Sequence, residues 1–358
     1  MIVVDADSHI FEPDDLYVRF ADPTEKDLVL RNPQYGLLEG TTPLGGPCEL
    51  TNVVRPTGCA GMHESGGFDP IARLGDMDRE GIGQMVCFPS VVTSLCRYPI
   101  EVESAMLSAY NNWIADFCSA APNRLFAVAV VPLRSMERTI TELRRRALDQ
   151  CFVGITIPTR IPGRNLDDPY FDPLWSIAEE LDLPILVHSG TARPPYPIGT
   201  SEQSNNFFLM HLMHHPTEQM LALSALIGGG VLDRFRRLRF GFFESGCGWV
   251  PWYLERIVDH ARLLPNLVPR LRSDPRELVC GGRCFFSCDP QEISIDLFVT
   301  SIGPEALLYA SDYPHWDSTF PRSVAQIALH PALDDSVKCM ILERNARRLY
   351  TRLSGMAA

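Results

Sequence analysis

Lysine is nearly missing from this 358-residue chain: Lys26 and Lys338 are the only two, the first in a Pro/Asp-rich stretch and the second in a C-terminal helical pattern. Schiff-base aldolase, pyridoxal phosphate and carboxylated-lysine two-metal chemistry each need an interior amine, so the scarcity argues against all three. Positive charge is short as well. A formal net charge of −12 excludes the cationic surface that nucleic acid or an anionic membrane would require. No apolar run reaches membrane-spanning length, and the basic segment that opens a secretory signal is lacking, which points to the cytoplasm. No Gly-x-Gly-x-x-Gly follows the first strand pattern, so the dinucleotide fingerprint is absent, and neither repeats nor low-complexity segments are visible.

What is present is a large apolar fraction, 46%, in a chain long enough for one barrel-sized domain or two ordinary ones. Eleven cysteines are scattered through it and read as small core residues under reducing conditions. Cys280, Cys284 and Cys288 are spaced by four, as a helical metal knot would be, but Gly281-Gly282 and Phe285-Phe286 favour a strand there.

Short β-branched or aromatic runs recur at Ile2-Val4, Met85-Phe88, Phe126-Val131, Val153-Ile157, Ile185-Val187, Leu238-Phe243, Cys284-Ser287 and Leu307-Ala310. Helical patterns separate most of them: Val102–Ala120, Met136–Leu148, Pro173–Leu181, Met220–Ile227 and Trp252–Leu263. Alternation of this kind implies right-handed crossovers and a parallel sheet, and eight repeats predict an α/β fold, the (β/α)8 TIM barrel. The whole chain, 1–358, reads as one barrel domain. Residues 13–76, rich in Pro, Gly and Asp, form an expected insertion after strand 1 that covers the C-terminal mouth, and Gly190 to Phe207 should line it. Residues after Tyr313 should be helical and close the barrel from outside. Gly228-Gly229-Gly230 reads as a helix stop.

Asp5-Ala6-Asp7-Ser8-His9 sits on the tail of Ile2-Val3-Val4, and a period of two would put Asp5, Asp7 and His9 on one face. Similar units end in His188, Glu244 and Asp312. Strand ends of a barrel converge on one mouth, so Asp7, His9, His188, Glu244 and Asp312 would meet at a common centre. A core histidine bonded to a carbonyl would explain His188 alone, and turn caps would explain Glu244 or Asp312 alone; coincidence of all of them is the weaker account. Mixed imidazole and carboxylate donors suit zinc, manganese or iron(II) rather than copper, and a single divalent ion is the economical reading, with zinc and manganese both fitting.

These residues resemble the amidohydrolase superfamily, in the amidohydrolase-related branch that includes aminocarboxymuconate-semialdehyde, γ-resorcylate and carboxyvanillate decarboxylases. The likeness spans nearly the whole chain. It is carried by Val4-Asp5-Ala6-Asp7-Ser8-His9-Ile10-Phe11-Glu12-Pro13, by Leu186-Val187-His188, by Phe243-Glu244-Ser245-Gly246-Cys247-Gly248-Trp249-Val250-Pro251 and by Ser311-Asp312-Tyr313-Pro314-His315-Trp316-Asp317. The resemblance implies that Asp7 and His9 fill the two ligand positions where relatives carry His-x-His or Glu-x-His, with His188 and Asp312 completing the set. It also implies a homodimer, and a substrate-binding arginine about a dozen residues past strand six, which Arg256 matches. Relatives often place a catalytic His where this chain has Glu244, a departure at the acid–base position.

A bound divalent ion acidifies its water or polarises a substrate oxygen, and two reactions use those powers. In non-oxidative decarboxylation of a small aromatic or unsaturated acid, Asp312 or Glu244 supplies the proton that replaces carbon dioxide. In hydrolysis of an amide, ester or lactone, Asp312 would take the proton of the attacking water, and Arg256 would select acidic substrates. Asp312, Glu244 and His188 are the expected catalytic set, and His315 and Trp316 stand where they could touch a small acidic substrate. A non-catalytic barrel that merely binds is the reading four such strand ends disfavour. His214 and His215, ahead of a helix expected over Thr217–Ile227, read as mouth-lining or capping residues, and His63 as lid or surface.

Overall fold

The computed structural model describes residues 1–13, 15–31, 65–90, 98–188 and 206–353. Eight parallel strands run β1 (Val3–Ile10), β2 (Ile82–Pro89), β3 (Leu125–Ala129), β4 (Phe152–Ile157), β5 (Ile185–His188), β6 (Phe240–Phe243), β7 (Cys284–Cys288) and β8 (Leu307–Tyr309), each paired with its neighbour in chain order. The expected runs coincide with all eight. Between them lie α1 (Pro70–Glu80), α2 (Ile100–Ser119), α3 (Met136–Arg146), α4 (Asp172–Leu181), α5 (Phe207–Gly228), α6 (Trp249–Leu263) and α7 (Ile295–Ser301). The result is a nearly closed, TIM-barrel-like α/β fold. No described helix is long and apolar enough to cross a membrane.

Alternation along the strands sorts side chains into two apolar layers. Val86, Phe126, Val128, Val153, Leu186, Phe285 and Leu308 fill the barrel, while Met85, Cys87, Ala127, Ile155, Ile185 and Phe242 pack outward under the helices. Each large apolar side chain so buried contributes roughly 1.5–3 kcal/mol. Cys284 and Cys288 sit at the two ends of β7 and Cys280 at the end of a short helix, so the four-residue spacing is strand and turn, as expected.

The first and last strands do not pair as a ladder. Their seam is stitched instead by the Asp5 carboxylate, which accepts the Ser311 N–H at 2.9 Å and its hydroxyl at 2.5 Å, and by the main-chain bonds Asp312 N–H to Asp7 C=O (3.1 Å) and His9 N–H to Tyr313 C=O (2.6 Å). This corrects the expected face of Asp5. The β1–β2 register slips between Asp5 and Ser8, and Val4 and Ala6 are the residues that join the barrel interior. The irregularity turns Asp7 and His9 toward the mouth and leaves Asp5 on the seam.

A second correction concerns the C-terminus. The helix α8 (Asn345–Leu349) and the residues after it do not clasp the barrel from outside: Ala346, Leu349, Tyr350 and Leu353 belong to the interior cluster, at the end opposite the mouth. The Tyr350 hydroxyl donates to the Ala6 carbonyl at 2.8 Å, and Asn345 Nδ2 to the Leu307 carbonyl at 2.8 Å. Room for this plug comes from Gly241, where a Cβ would lie 2.5 Å from the Phe243 ring and 3.1 Å from Leu349.

The expected insertion is less irregular at its ends than its composition suggested. Short helices span Leu16–Phe20 and Lys26–Leu30, and α1 starts at Pro70, capped by the Asp69 carboxylate, rather than after Asp76. Its return is tied to β1 through Phe11 N–H and the Gly67 carbonyl at 2.8 Å. His63, most of the presumed lid and nearly all of the Gly190 to Phe207 stretch lie outside the described residues.

Candidate metal centre

Asp7 and His9 near the end of β1 and His188 at the end of β5 deliver one donor atom each, all within 4.8 Å of one another. His9 Nε2 stands 3.6 Å from Asp7 Oδ1, and His188 Nε2 is 3.6 Å from Asp7 Oδ2. The Pro89 carbonyl lies 3.0 Å from His9 Nδ1. A carbonyl can only accept, so Nδ1 carries the proton and Nε2 presents its lone pair to the mouth, the arrangement that a carbonyl bonded to the far ring nitrogen imposes on metal-ligating imidazoles. Burial, reinforced by the neighbouring rings of His315 and His188, holds the His9 pKa well below its ordinary value and keeps that ring neutral. Among the described residues, Asp7 Oδ1 and His9 Nε2 are buried yet make no hydrogen bond. Buried polar atoms left so are costly, and a divalent cation would satisfy both. The donor chemistry therefore fits zinc or manganese.

Asp312, three residues past β8, faces the same point, its Oδ1 3.3 Å from His9 Nε2 and 2.8 Å from His315 Nδ1. Burial, then the carboxylates of Asp317 and Asp7, push its pKa well above the usual range. Glu244, one residue past β6, is ringed by imidazoles: His188 Nε2 at 3.3 Å, His215 Nδ1 at 3.6 Å and His315 Nδ1 at 3.7 Å. Its pKa is raised well above 4.5, chiefly by burial. Glu244 (φ 56°) and Asp312 (φ 54°) both adopt the left-handed backbone, unusual for residues with a side chain and typical of strained functional turns.

That strain is held by neighbours. Ser287 of β7 accepts the Glu244 N–H at 3.3 Å, and the Glu292 carboxylate takes the N–H groups of Cys247 (2.8 Å) and Gly248 (2.7 Å) at the start of α6. On the other side, fully buried Arg73 of α1 donates to the His9 carbonyl and lies 4.6 Å over the Tyr313 ring. Both strand ends are thus braced from behind.

Of the residues expected to touch substrate, His315 stacks on His9 with centroids 4.0 Å apart, and the Trp316 ring lies 5.2 Å from that of His211. Arg256 is elsewhere: it is exposed on α6, its guanidinium 5.4 Å over the exposed Trp252 ring, and no contact with the mouth is seen among the described residues. His215, expected to line the mouth or cap a helix, does line the mouth. The helix starts earlier than expected: it runs from Phe207 through Pro216, with the Thr217 hydroxyl donating back to the Met213 carbonyl in the turn that proline interrupts, and carries His215 onto Glu244. The available signal was the four-residue spacing of His211 and His215, which puts both on one helical face. Asp7, His215, Glu244, Ser287, Asp312 and Asp317 line a cavity of about 270 Å³.

Comparison with known proteins agrees with the fold. The chain is 28% identical over 254 residues to 2-amino-3-carboxymuconate-6-semialdehyde decarboxylase of Dictyostelium discoideum, covering 70% of this chain and 68% of that one. It is 27% identical over 254 residues to γ-resorcylate decarboxylase of Rhizobium sp. (strain MTP-10005), covering 67% and 74%. Among solved structures, 5-carboxyvanillate decarboxylase from Sphingomonas paucimobilis superposes with a TM-score of 0.74 at 17% identity over 98% of this chain and 99% of its own. A dihydroxybenzoic acid decarboxylase from Polaromonas sp. JS666, solved with bound manganese and the inhibitor 2-nitroresorcinol, gives 0.70 at 16% over 99% and 98%. The amidohydrolase family model matches residues 4–352, and the chain belongs to that family.

Proposed function

We propose that this protein is a metal-dependent, non-oxidative decarboxylase of a small aromatic or unsaturated carboxylic acid. The observation that carries the reading is Glu244, a carboxyl only 15% exposed at the mouth, 3.3 Å from a histidine whose cluster presents metal donors. The decarboxylases among the curated relatives support it.

Asp7, His9, His188 and Asp312 would hold one zinc or manganese ion. Such an ion polarises a phenolate or carboxylate oxygen of the substrate and fixes its orientation. Glu244 gives its proton to the carbon that bears the carboxylate; the carbon–carbon bond then breaks, its electron pair returns to the ring system, and carbon dioxide leaves. Burial supports this role, since it favours the protonated acid. His315 and Trp316 border the substrate. In this reading the segment 13–76 folds over the mouth as a lid on a single barrel domain, and the protein is a homodimer in which exposed Arg256 serves the neighbouring copy's substrate. Light scattering that finds a monomer of full activity would remove the dimer.

The direct test is carbon dioxide release from a panel of hydroxybenzoates by metal-stripped and reconstituted protein. Release that depends on zinc or manganese is expected. Silence there, with cleavage of esters or amides, would replace decarboxylation by hydrolysis, a reaction the same donors could serve with Asp312 as the base.

A further inference from the structure

Gln219 stands one turn past His215 on α5. It is fully buried, and its side-chain Nε2 donates at 2.9 Å to the Val187 carbonyl and at 2.9 Å to the Phe243 carbonyl. Those carbonyls belong to the residues immediately before His188 and Glu244. A single amide group therefore joins the two peptide units from which a metal donor and the carboxyl beside it spring. The β5–β6 ladder has its last pair at His188 and Phe243, and the Glu244 N–H turns instead to the Ser287 hydroxyl of β7 at 3.3 Å. Past that pair, Gln219 is the hydrogen-bonding side chain that spans β5 and β6 among the described residues. The helix that carries it is also tied to the end of β4: Glu218, fully buried, accepts the Thr159 hydroxyl at 2.7 Å.

The oxygen of the same amide is buried and accepts nothing among the described residues. Turning the amide over would set that oxygen against two carbonyls, so its orientation is determined. A buried acceptor left without a donor costs stability, and an apolar side chain of the same length would avoid the cost. What the amide provides, and such a side chain does not, is a pair of N–H groups at a set spacing, one for each strand end.

We propose that Gln219 is a positioning residue: by tying β5 to β6 at the mouth, it sets the 3.3 Å approach of His188 Nε2 to Glu244 Oε2. The inference rests on the decarboxylase reading, in which the ion held by His188 orients the substrate and Glu244 serves the carbon that loses carbon dioxide. Both must then meet one substrate in register, and a displacement on the order of 1 Å between them costs about 100-fold in rate. Gln219 bonds to the two backbones and acts through the side chains they carry.

The test uses Gln219→Met, which keeps the length of the side chain and removes both donors. Gln219→Asn, which draws the amide back by one methylene group, carries the test if the first variant does not fold. Each is compared with the wild type, loaded with manganese for kinetics and with cobalt for visible spectroscopy. Positioning predicts about one ion per chain in both variants, kcat lowered about 100-fold with KM within about threefold of the wild type, and a shifted cobalt absorption, because His188 meets the ion at a changed angle. A side chain that only stabilises the fold would leave the cobalt spectrum and the kcat per folded chain as in the wild type. That result, a raised KM with unchanged kcat, or loss of the ion would each overturn the assignment and leave decarboxylation standing. No carbon dioxide from the wild type would remove the decarboxylase reading, and the cobalt spectrum of Gln219→Met would still decide whether Gln219 sets the place of His188.

Discussion

The main-chain N–H of Asp312 donates to the carbonyl of Asp7 at 3.1 Å, so the last strand meets the first at residues that face the candidate ion. Closing the barrel and assembling the site are therefore one event. A ligand that binds only the folded state stabilises it by mass action, about 2.7 kcal/mol when present at 100 times its Kd. Calorimetry of the metal-stripped protein should show Tm rising with added zinc or manganese, and no such rise for Asp7→Ala. Equal shifts in both would place the ion elsewhere.

Asp5 carries a pH dependence. Desolvation outweighs the two Ser311 hydrogen bonds and pushes its pKa up to about 8. A carboxyl whose pKa is raised by folding contributes stability in its protonated form, fully present below its unfolded value near 3.8 and lost as pH rises through about 8. Urea unfolding of metal-free protein should thus show wild-type stability declining between those limits, and Asp5→Asn should flatten the slope. An unchanged slope in Asp5→Asn would mean the seam does not titrate.

The C-terminal plug supplies a packing prediction. Leu349 is fully buried in the barrel interior beneath Gly241, so Leu349→Ala should cost 2–5 kcal/mol, on the order of a core cavity. Tyr350→Phe, which removes one hydrogen bond to Ala6, should cost about 1 kcal/mol. Denaturant midpoints at constant slope measure both. A near-neutral Leu349→Ala would show that the last helix is not part of the core.

Glu292 holds the loop behind Glu244 by accepting from Cys247, Gly248 and Ser294. Glu292→Ala should destabilise by about 1–3 kcal/mol, since it leaves partly buried N–H groups without acceptors. Catalysis should fall by more than that loss explains, because the left-handed turn that aims Glu244 is loosened, while bound metal stays constant. Full activity in Glu292→Ala would contradict the bracing role.

Much of this was legible in the chain. Short β-branched or aromatic runs located all eight strands, and period-two alternation places His188 two residues beyond interior Leu186. What alternation could not carry was its own failure. The register slip between Asp5 and Ser8 reverses the face of Asp5, and such irregularities are set by the neighbouring strand rather than by local composition. The contact of His215 with Glu244 was hidden for a related reason: Pro216 reads as a helix start, yet tertiary packing runs α5 through it. Composition at 345–353 marks an amphipathic end but not which surface of the barrel it covers.

Metal content of purified protein addresses the central claim most directly, that Asp7, His9, His188 and Asp312 hold one cation while Glu244 does not. Elemental analysis should find about one zinc or manganese per chain in the wild type and in Glu244→Gln, which nevertheless loses turnover, and almost none in His188→Ala. A full complement of metal in His188→Ala, or an emptied site in Glu244→Gln, would contradict the account.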